Sequence, residues 1–211
     1  MKKTNVSFPC GGIMLEGAYY IPDGDGIFPA VILCHPHPLY GGSMDNNVIM
    51  AAASILVEMS IIAFMFNFRG VGGSQGVFGD GIEEQKDVAA AIDWLSTQPD
   101  VDAGRIGLMG YSFGALVVSP VACDDVRVKA MALVSPPLED EQLLKMKECT
   151  KPKIVICGTE DVVVSTQKAE LINRELAEPK QFKLIQGADH FWQGYEVIMA
   201  DKVAAFLTQV I

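Results

Sequence analysis

A serine hydroxyl becomes a useful nucleophile near neutral pH only when a base stands within hydrogen-bond reach and a carboxylate orients that base. One serine of this chain sits in a setting suited to that chemistry. Ser112 lies in Gly110-Tyr111-Ser112-Phe113-Gly114, between an apolar, small-residue run from Arg105 and a second apolar run, Ala115 to Val118. Such a sequence reads as a buried strand that turns sharply into a helix and lifts one side chain out of the sheet. Glycines two residues to either side are needed where a Cβ would collide with the neighbouring strand and helix.

The base must come from three histidines, His35, His37 and His190. His190, in Gln186-Gly187-Ala188-Asp189-His190-Phe191-Trp192, follows the last apolar strand and precedes the last helix. In a parallel sheet that is the carboxyl edge, where Ser112 also emerges. The acid is expected from a loop at the same edge. Asp161, in Cys157-Gly158-Thr159-Glu160-Asp161, fits the chain order serine, acid, histidine. Glu160 is the near alternative, and Glu139 or Asp140 a more distant one.

Other residues of chemical interest read differently. His35-x-His37 has the spacing of paired metal ligands, and Asp45 or His190 could complete such a set. Pro36 and Pro38 favour an irregular loop instead, and no further His or Cys cluster exists, so no metal is expected and His35 is read as a loop-holding residue. The glycines at 41–42 and 70–76 form no nucleotide-phosphate fingerprint, because Gln75 stands where the last glycine of G-x-G-x-x-G is required. Glu83, Glu84 and Asp87 are expected to form a solvated first helical turn.

The elements that would position these groups follow from periodicity. Strands are expected at residues 4–9, 13–21, 30–34, 61–66, the run before Ser112, 128–135, 153–157 and 182–185. Helices are expected at 47–58, 81–95, from Ala115 onward, 139–147, 165–176 and 196–210. From about residue 30 strands and helices alternate, which demands crossover connections and a mostly parallel sheet with helices on both faces. The segment between Ser135 and Lys153 is too short for a lid domain, so an open, shallow site is expected.

At 211 residues the chain reads as one α/β domain, residues 1–211, able to bury its own core. No apolar run reaches the length of a membrane span, and Thr4, Asn5 and Ser7 interrupt any export signal. The formal charge of −10 has no basic run against it, which excludes nucleic acid and anionic membrane surfaces as partners. Five cysteines without metal-type spacing read as reduced core thiols in a cytoplasmic protein.

With these motifs in hand, the sequence resembles the α/β-hydrolase superfamily, in its small, lidless, dienelactone-hydrolase-like branch. It is also similar to short hydrolases bearing His-Pro-His-Pro-x-x-Gly-Gly after the third strand. The matching points are His35-Pro36-His37-Pro38 with Gly41-Gly42, Arg69-Gly70-x-Gly72-x-Ser74-x-Gly76, Gly110-x-Ser112-x-Gly114, Gly158-x-x-Asp161 and Ala188-Asp189-His190. The resemblance covers essentially the whole chain. It implies the α/β-hydrolase fold with an eight-stranded sheet in the order 1-2-4-3-5-6-7-8, Ser112 as nucleophile, Asp161 as orienting acid and His190 as base.

Two departures matter. Dienelactone hydrolases carry a cysteine where Ser112 stands, so their substrate is not inherited. Pro36 occupies a position that is glycine in many members, and proline has no N–H to donate. By position the oxyanion donors implied are the backbone amides of Phe113 and His37. The expected activity is hydrolysis of a small-molecule ester or thioester with no cofactor. Alternatives are a peptidase or acyltransferase using the same triad, or a non-catalytic ligand-binding module on the same scaffold.

Overall fold

A computed structural model describes residues 2–211; Met1 lies outside the described residues. The eight strands are β1 (Lys2–Cys10), β2 (Ile13–Ile21), β3 (Phe28–Cys34), β4 (Ile62–Phe66), β5 (Val101–Tyr111), β6 (Val128–Val134), β7 (Lys153–Gly158) and β8 (Lys180–Ile185). They form one sheet in the order β1-β2-β4-β3-β5-β6-β7-β8. β1 and β2 pair antiparallel, β2 meets β4 antiparallel, and every pair from β4 to β8 is parallel. The helices are α1 (Asn47–Glu58), α2 (Glu83–Leu95), α3 (Phe113–Asp124), α4 (Asp140–Met146), α5 (Thr166–Glu175) and α6 (Glu196–Val210).

Alternation along the central strands explains why helices cover both faces. Ala30, Ile32 and Cys34 of β3 join the core beneath α2, α3, α4 and α5, whereas Val31 and Leu33 join the core beneath α1 and α6. A strand buried on both sides has no polar face to show, which is why it reads as a continuous apolar run. Between β6 and β7 the chain holds α4 and short connections, and no lid domain is present.

The expected element boundaries differ from the structure in physically simple ways. β3 begins at Phe28 rather than residue 30, because a register irregularity between Phe28 and Ala30 accommodates Pro29 at the strand's start. α2 begins at Glu83 rather than Gly81, since Gly81 has φ +82° and cannot lie in a right-handed helix. β5 starts at Val101, β1 runs two residues further at its start, and β8 begins at Lys180.

The solvated first turn expected for Glu83, Glu84 and Asp87 is corrected. Glu84 and Asp87 are fully buried. Glu84 folds back to accept the amides of Gly79 and Gly81, both at 2.8 Å, closing the loop before α2. Asp87 accepts the Arg69 amide at 3.0 Å and its guanidinium Nη2 at 2.7 Å, while Arg69 Nη1 reaches Glu83 at 2.8 Å. Arg69-Gly70-x-Gly72-x-Ser74-x-Gly76 therefore anchors the β4–α2 loop through one buried ion pair. Arg69→Leu would leave Asp87 buried without its cation, at a cost of about 3 kcal/mol by urea unfolding at pH 7; Arg69→Leu with Asp87→Leu should recover much of that loss.

Candidate active site

Three loops meet at the carboxyl edge of the sheet, after β5, β7 and β8. Ser112 is the single residue between β5 and α3, at φ 52° and ψ −118°, a conformation costly for any residue with a side chain. The turn is possible because of its glycines. A Cβ on Gly110 would fall 2.4 Å from the backbone of Gly114 and Ala115, and one on Gly114 would fall 2.1 Å from the Cys34 carbonyl oxygen. The Ser112 amide donates to the Val134 carbonyl at 2.9 Å, fixing the turn to β6.

The β7 and β8 loops pack on each other just as closely. A Cβ on Gly158 would sit 2.0 Å from the Ala188 carbonyl oxygen, and that same oxygen accepts the Glu160 amide at 2.9 Å. Within the β8 loop, Asp189 Oδ1 accepts the amides of Phe191 and Trp192 at 2.9 and 3.0 Å, a tight side-chain-closed turn around His190.

These loops bring together the three side chains singled out in the sequence. Ser112 Oγ lies 3.0 Å from His190 Nε2, and His190 Nδ1 lies 2.9 Å from Asp161 Oδ2 and 3.1 Å from Oδ1. An ionised carboxylate only accepts, so the proton of the neutral ring sits on Nδ1 and Nε2 is left to accept from the serine hydroxyl. Asp161 is 3 % exposed. Burial alone would push its carboxyl up, but hydrogen bonds from His190 and the Val164 amide, with a contribution from the Ser135 hydroxyl, hold it below the usual carboxylate range. Its Oδ1 accepts the Val163 and Val164 amides at 2.9 and 2.7 Å.

The other carboxylates considered lie elsewhere. Glu160 is exposed and contributes its backbone alone to the packing of the two loops. Glu139 caps α4 in a reciprocal box with Gln142, and Asp140 is exposed in the first turn of that helix.

His35 and His37 hold the β3 loop. His35 is fully buried, with Nδ1–H donating to the Pro36 carbonyl at 2.7 Å and Nε2 accepting the Phe68 amide at 3.0 Å, so neither nitrogen has a lone pair left for a metal. Burial brings its pKa down to about 4, against the pull of the Pro36 hydrogen bond. His37 Nδ1 accepts the Leu39 amide at 3.2 Å, and its ring lies 4.7 to 5.0 Å from the rings of Tyr40, Phe113 and Phe78. The loop after β3 and the first turn of α3 are thereby stapled together. A Cβ on Gly42 would lie 2.0 Å from the Pro36 carbonyl oxygen, which is why the motif ends in glycine. Among the described residues the amides of His37 and Phe113 donate to no protein acceptor.

Sequence reasoning missed Tyr111. Its hydroxyl donates to the His190 backbone carbonyl at 2.6 Å and its ring lies 5.7 Å from the imidazole, so it holds His190 from behind. The signal was its place beside Ser112, since a buried tyrosine needs a partner for its hydroxyl.

An open, largely parallel sheet covered on both faces, with a serine on a strand–helix turn and no lid, defines the α/β-hydrolase fold. A family model for the X-Pro dipeptidyl-peptidase (S15) family matches residues 11–143, and the chain belongs to that family. The matched stretch includes Ser112 and ends before Asp161 and His190. The chain is 35 % identical over 173 residues to an uncharacterized protein of Rickettsia prowazekii, covering 78 % of this chain and 72 % of that one. It is similar to the solved structure of an α/β serine hydrolase homologue from Coxiella burnetii, with a TM-score of 0.88, 30 % identity and 97 % of each chain covered. It is also similar to a serine hydrolase without lid from Xanthomonas campestris, with a TM-score of 0.86 and 26 % identity over 99 % of this chain and 95 % of that one. The protein is thus a lidless α/β serine hydrolase.

The buried neutral His35 gives a pH test. A histidine whose folded pKa is lowered to about 4 binds fewer protons folded than unfolded between about pH 4 and 6.5, so its neutral form favours folding fully above that window and loses that advantage as pH falls through it. Urea unfolding should show the wild type losing about 3 kcal/mol more than His35→Asn between pH 6.5 and 4, with parallel curves above pH 7.

Proposed function

We propose that the protein hydrolyses small carboxylic esters or thioesters through an acyl-enzyme, with Ser112 as nucleophile, His190 as general base and Asp161 as the acid that orients it. The observation that carries this reading is the unbroken run of contacts from Ser112 Oγ through both ring nitrogens of His190 to Asp161, at 3.0 and 2.9 Å. Ser112 Oγ attacks the carbonyl carbon while its proton passes to His190 Nε2, and Asp161 stabilises the imidazolium. Collapse of the tetrahedral intermediate breaks the acyl–oxygen or acyl–sulfur bond, and the alcohol or thiol leaves with the proton from His190. Water, deprotonated by the same ring, then attacks the acyl-enzyme and releases the acid.

The oxyanion is assigned to the amides of Phe113 and His37. Phe113 is the first residue of α3, where backbone N–H groups have no intrahelical partner and the helix dipole favours negative charge. The packing of the His37 ring against Phe113, at 4.9 Å between centroids, supports a fixed distance between the two donors. Each such donor is worth about 3 kcal/mol in comparable sites.

For the substrate, Tyr40 and Phe78 pack with the buried Phe113 around His37, and Phe191 lies exposed beside His190. These surfaces favour an apolar acyl group. The His-Pro-His-Pro loop groups the chain with the short hydrolases of that motif. Five free cysteines, four of them buried, suit a reducing, cytoplasmic setting.

The family description gives a second reading, cleavage of an X-Pro peptide bond. An amide needs more transition-state stabilisation than an activated ester, drawn from binding of remote parts of the substrate, and a lidless rim offers few walls for that. Activity on p-nitrophenyl acetate should therefore exceed that on glycyl-prolyl-p-nitroanilide; the reverse ranking would establish the peptidase.

Ser112→Ala should lower p-nitrophenyl ester turnover by about 10⁴-fold and abolish labelling by a fluorophosphonate probe. Wild-type protein that neither turns over esters nor takes the label would identify a non-catalytic binding module. Asp161→Asn should cost about 10³- to 10⁴-fold in kcat, whereas Glu160→Gln should stay close to wild type; equal losses would reopen the choice of acid.

A further inference from the structure

β4 is followed by two buried residues, Asn67 and Phe68, that grip the neighbouring β3–α1 loop at both of its ends. The Phe68 amide donates to His35 Nε2 at 3.0 Å, where the turn carrying His37 begins. Asn67 Oδ1 accepts the Met44 amide at 2.7 Å, where that turn finishes ahead of α1. Between these anchors the turn closes on itself, with the Tyr40 and Gly42 amides donating to the His37 carbonyl at 3.1 and 3.0 Å. Its first residues lie against the nucleophile turn. A Cβ on Gly114 would fall 2.1 Å from the Cys34 carbonyl oxygen and 2.7 Å from that of His35.

Asn67 is itself held in one orientation. Glu16, half-buried on β2, presents a carboxylate that only accepts, so Asn67 Nδ2 donates to Glu16 Oε1 at 2.6 Å and Oδ1 is left to face Met44. The Asn67 backbone is occupied as well, its amide donating to the Glu16 carbonyl at 3.0 Å and its carbonyl accepting the Ser74 hydroxyl at 2.6 Å. Glycine makes room for this pair. A Cβ on Gly72 would fall 2.2 Å from Glu16 Oε1 and 2.6 Å from Asn67 Nδ2, and one on Gly73 would fall 2.5 Å from Glu16 Oε2. The Arg69 ion pair leaves these two glycines of the Arg69-to-Gly76 motif unexplained, and the Glu16–Asn67 pair accounts for them.

We infer that Asn67 is a positioning residue for the oxyanion: by fixing the far end of the turn it sets where the His37 amide stands relative to that of Phe113. Oxyanion donors act only over a narrow range of distance, so a turn closed by its own two hydrogen bonds still has to be fixed at both ends. An asparagine kept for its buried amide alone would need Glu16 and no contact with Met44.

The inference rests on the triad reading with His37 as a donor. With p-nitrophenyl acetate, Asn67→Ala should lower kcat by about tenfold or more with KM nearly unchanged, because misplacing a donor is felt in the transition state. Asn67→Asp keeps the acceptor for Met44 and, protonated beside the Glu16 carboxylate, keeps the donor too. It should stay within about threefold of wild type at about pH 6, and it guards against a folding defect in the alanine variant. His37→Pro deletes the amide at φ −55°, an angle proline adopts, whereas His37→Ala deletes only the ring. Asn67→Ala should cost about tenfold in the His37→Ala background and almost nothing more in the His37→Pro background.

Amide hydrogen exchange supplies an arm that needs no turnover. In Asn67→Ala the Tyr40, Gly42 and Met44 amides should exchange about tenfold faster than in the wild type. Faster exchange in a protein that hydrolyses no ester would uphold the grip of Asn67 on the turn while overturning the hydrolase reading. Unchanged exchange, equal kcat losses in Asn67→Asp and Asn67→Ala, or equal losses in the two His37 backgrounds would overturn the inference.

Discussion

The site depends on how closely backbone approaches backbone at the carboxyl edge of the sheet. Gly114 lies against the end of β3, Gly42 against Pro36, and Gly158 against Ala188, each where a Cβ would fall about 2 Å from a carbonyl oxygen. Parallel pairing of β5 with β6, β6 with β7 and β7 with β8 brings their ends to neighbouring levels, Tyr111 beside Val134, Val134 beside Ile156 and Gly158 beside Ile185. Register sets which loops can meet, and glycine sets how near they come. With side chains at those three glycines, a hydroxyl and a carboxylate could not both reach one imidazole ring.

Around that edge the chain buries several polar groups, and each is satisfied locally. His35 spends both nitrogens on backbone, Glu84 closes the loop before α2, and Asp87 holds Arg69. At the opposite, amino edge of the sheet, Lys153 is buried at the start of β7, donating to the carbonyls of Cys149 and Ala177 at 2.7 and 2.9 Å. Removing one partner of any such group leaves the other desolvated and unpaired, so these contacts define conformation more than they add stability. The loops bearing His37 and Arg69 are stiff for that reason, and the rings of His37, Phe78 and Phe113 pack on one another at the start of α3.

Strain and support are distributed along one path. Ser112 sits in a conformation that only packing can enforce, Tyr111 grips the backbone of His190, and the backbone around Ser135 and Trp192 is held in the same left-handed region. Pre-organisation of this kind places a hydrogen-bonded run of side chains at a geometry solvent would otherwise disrupt.

The architecture was legible in sequence because its signals are local. Apolar runs bounded by turns mark buried strands, Gly110-x-Ser112-x-Gly114 marks a strand–helix turn, and His190 is singled out by lying between the last strand and the last helix. Boundaries shifted where Pro29 and Gly81 impose their own backbone requirements, which run-length reasoning ignores.

Other features belong to the tertiary structure alone. Glu160 and Asp161 are adjacent and chemically alike, and only the direction each leaves the β7 loop decides that one is solvated and the other faces His190. Glu84 and Asp87 look like an exposed helical turn until the loop and Arg69 close over them. Tyr111, Ser135 and Trp192 carry no motif, because a hydrogen bond between residues 57 or 79 positions apart leaves no periodic trace in the chain. Sequence determined the elements and the identities of the nucleophile and base candidates; packing decided which acid meets them and what holds that acid in place, since the direction of a side chain is set by its neighbours in space.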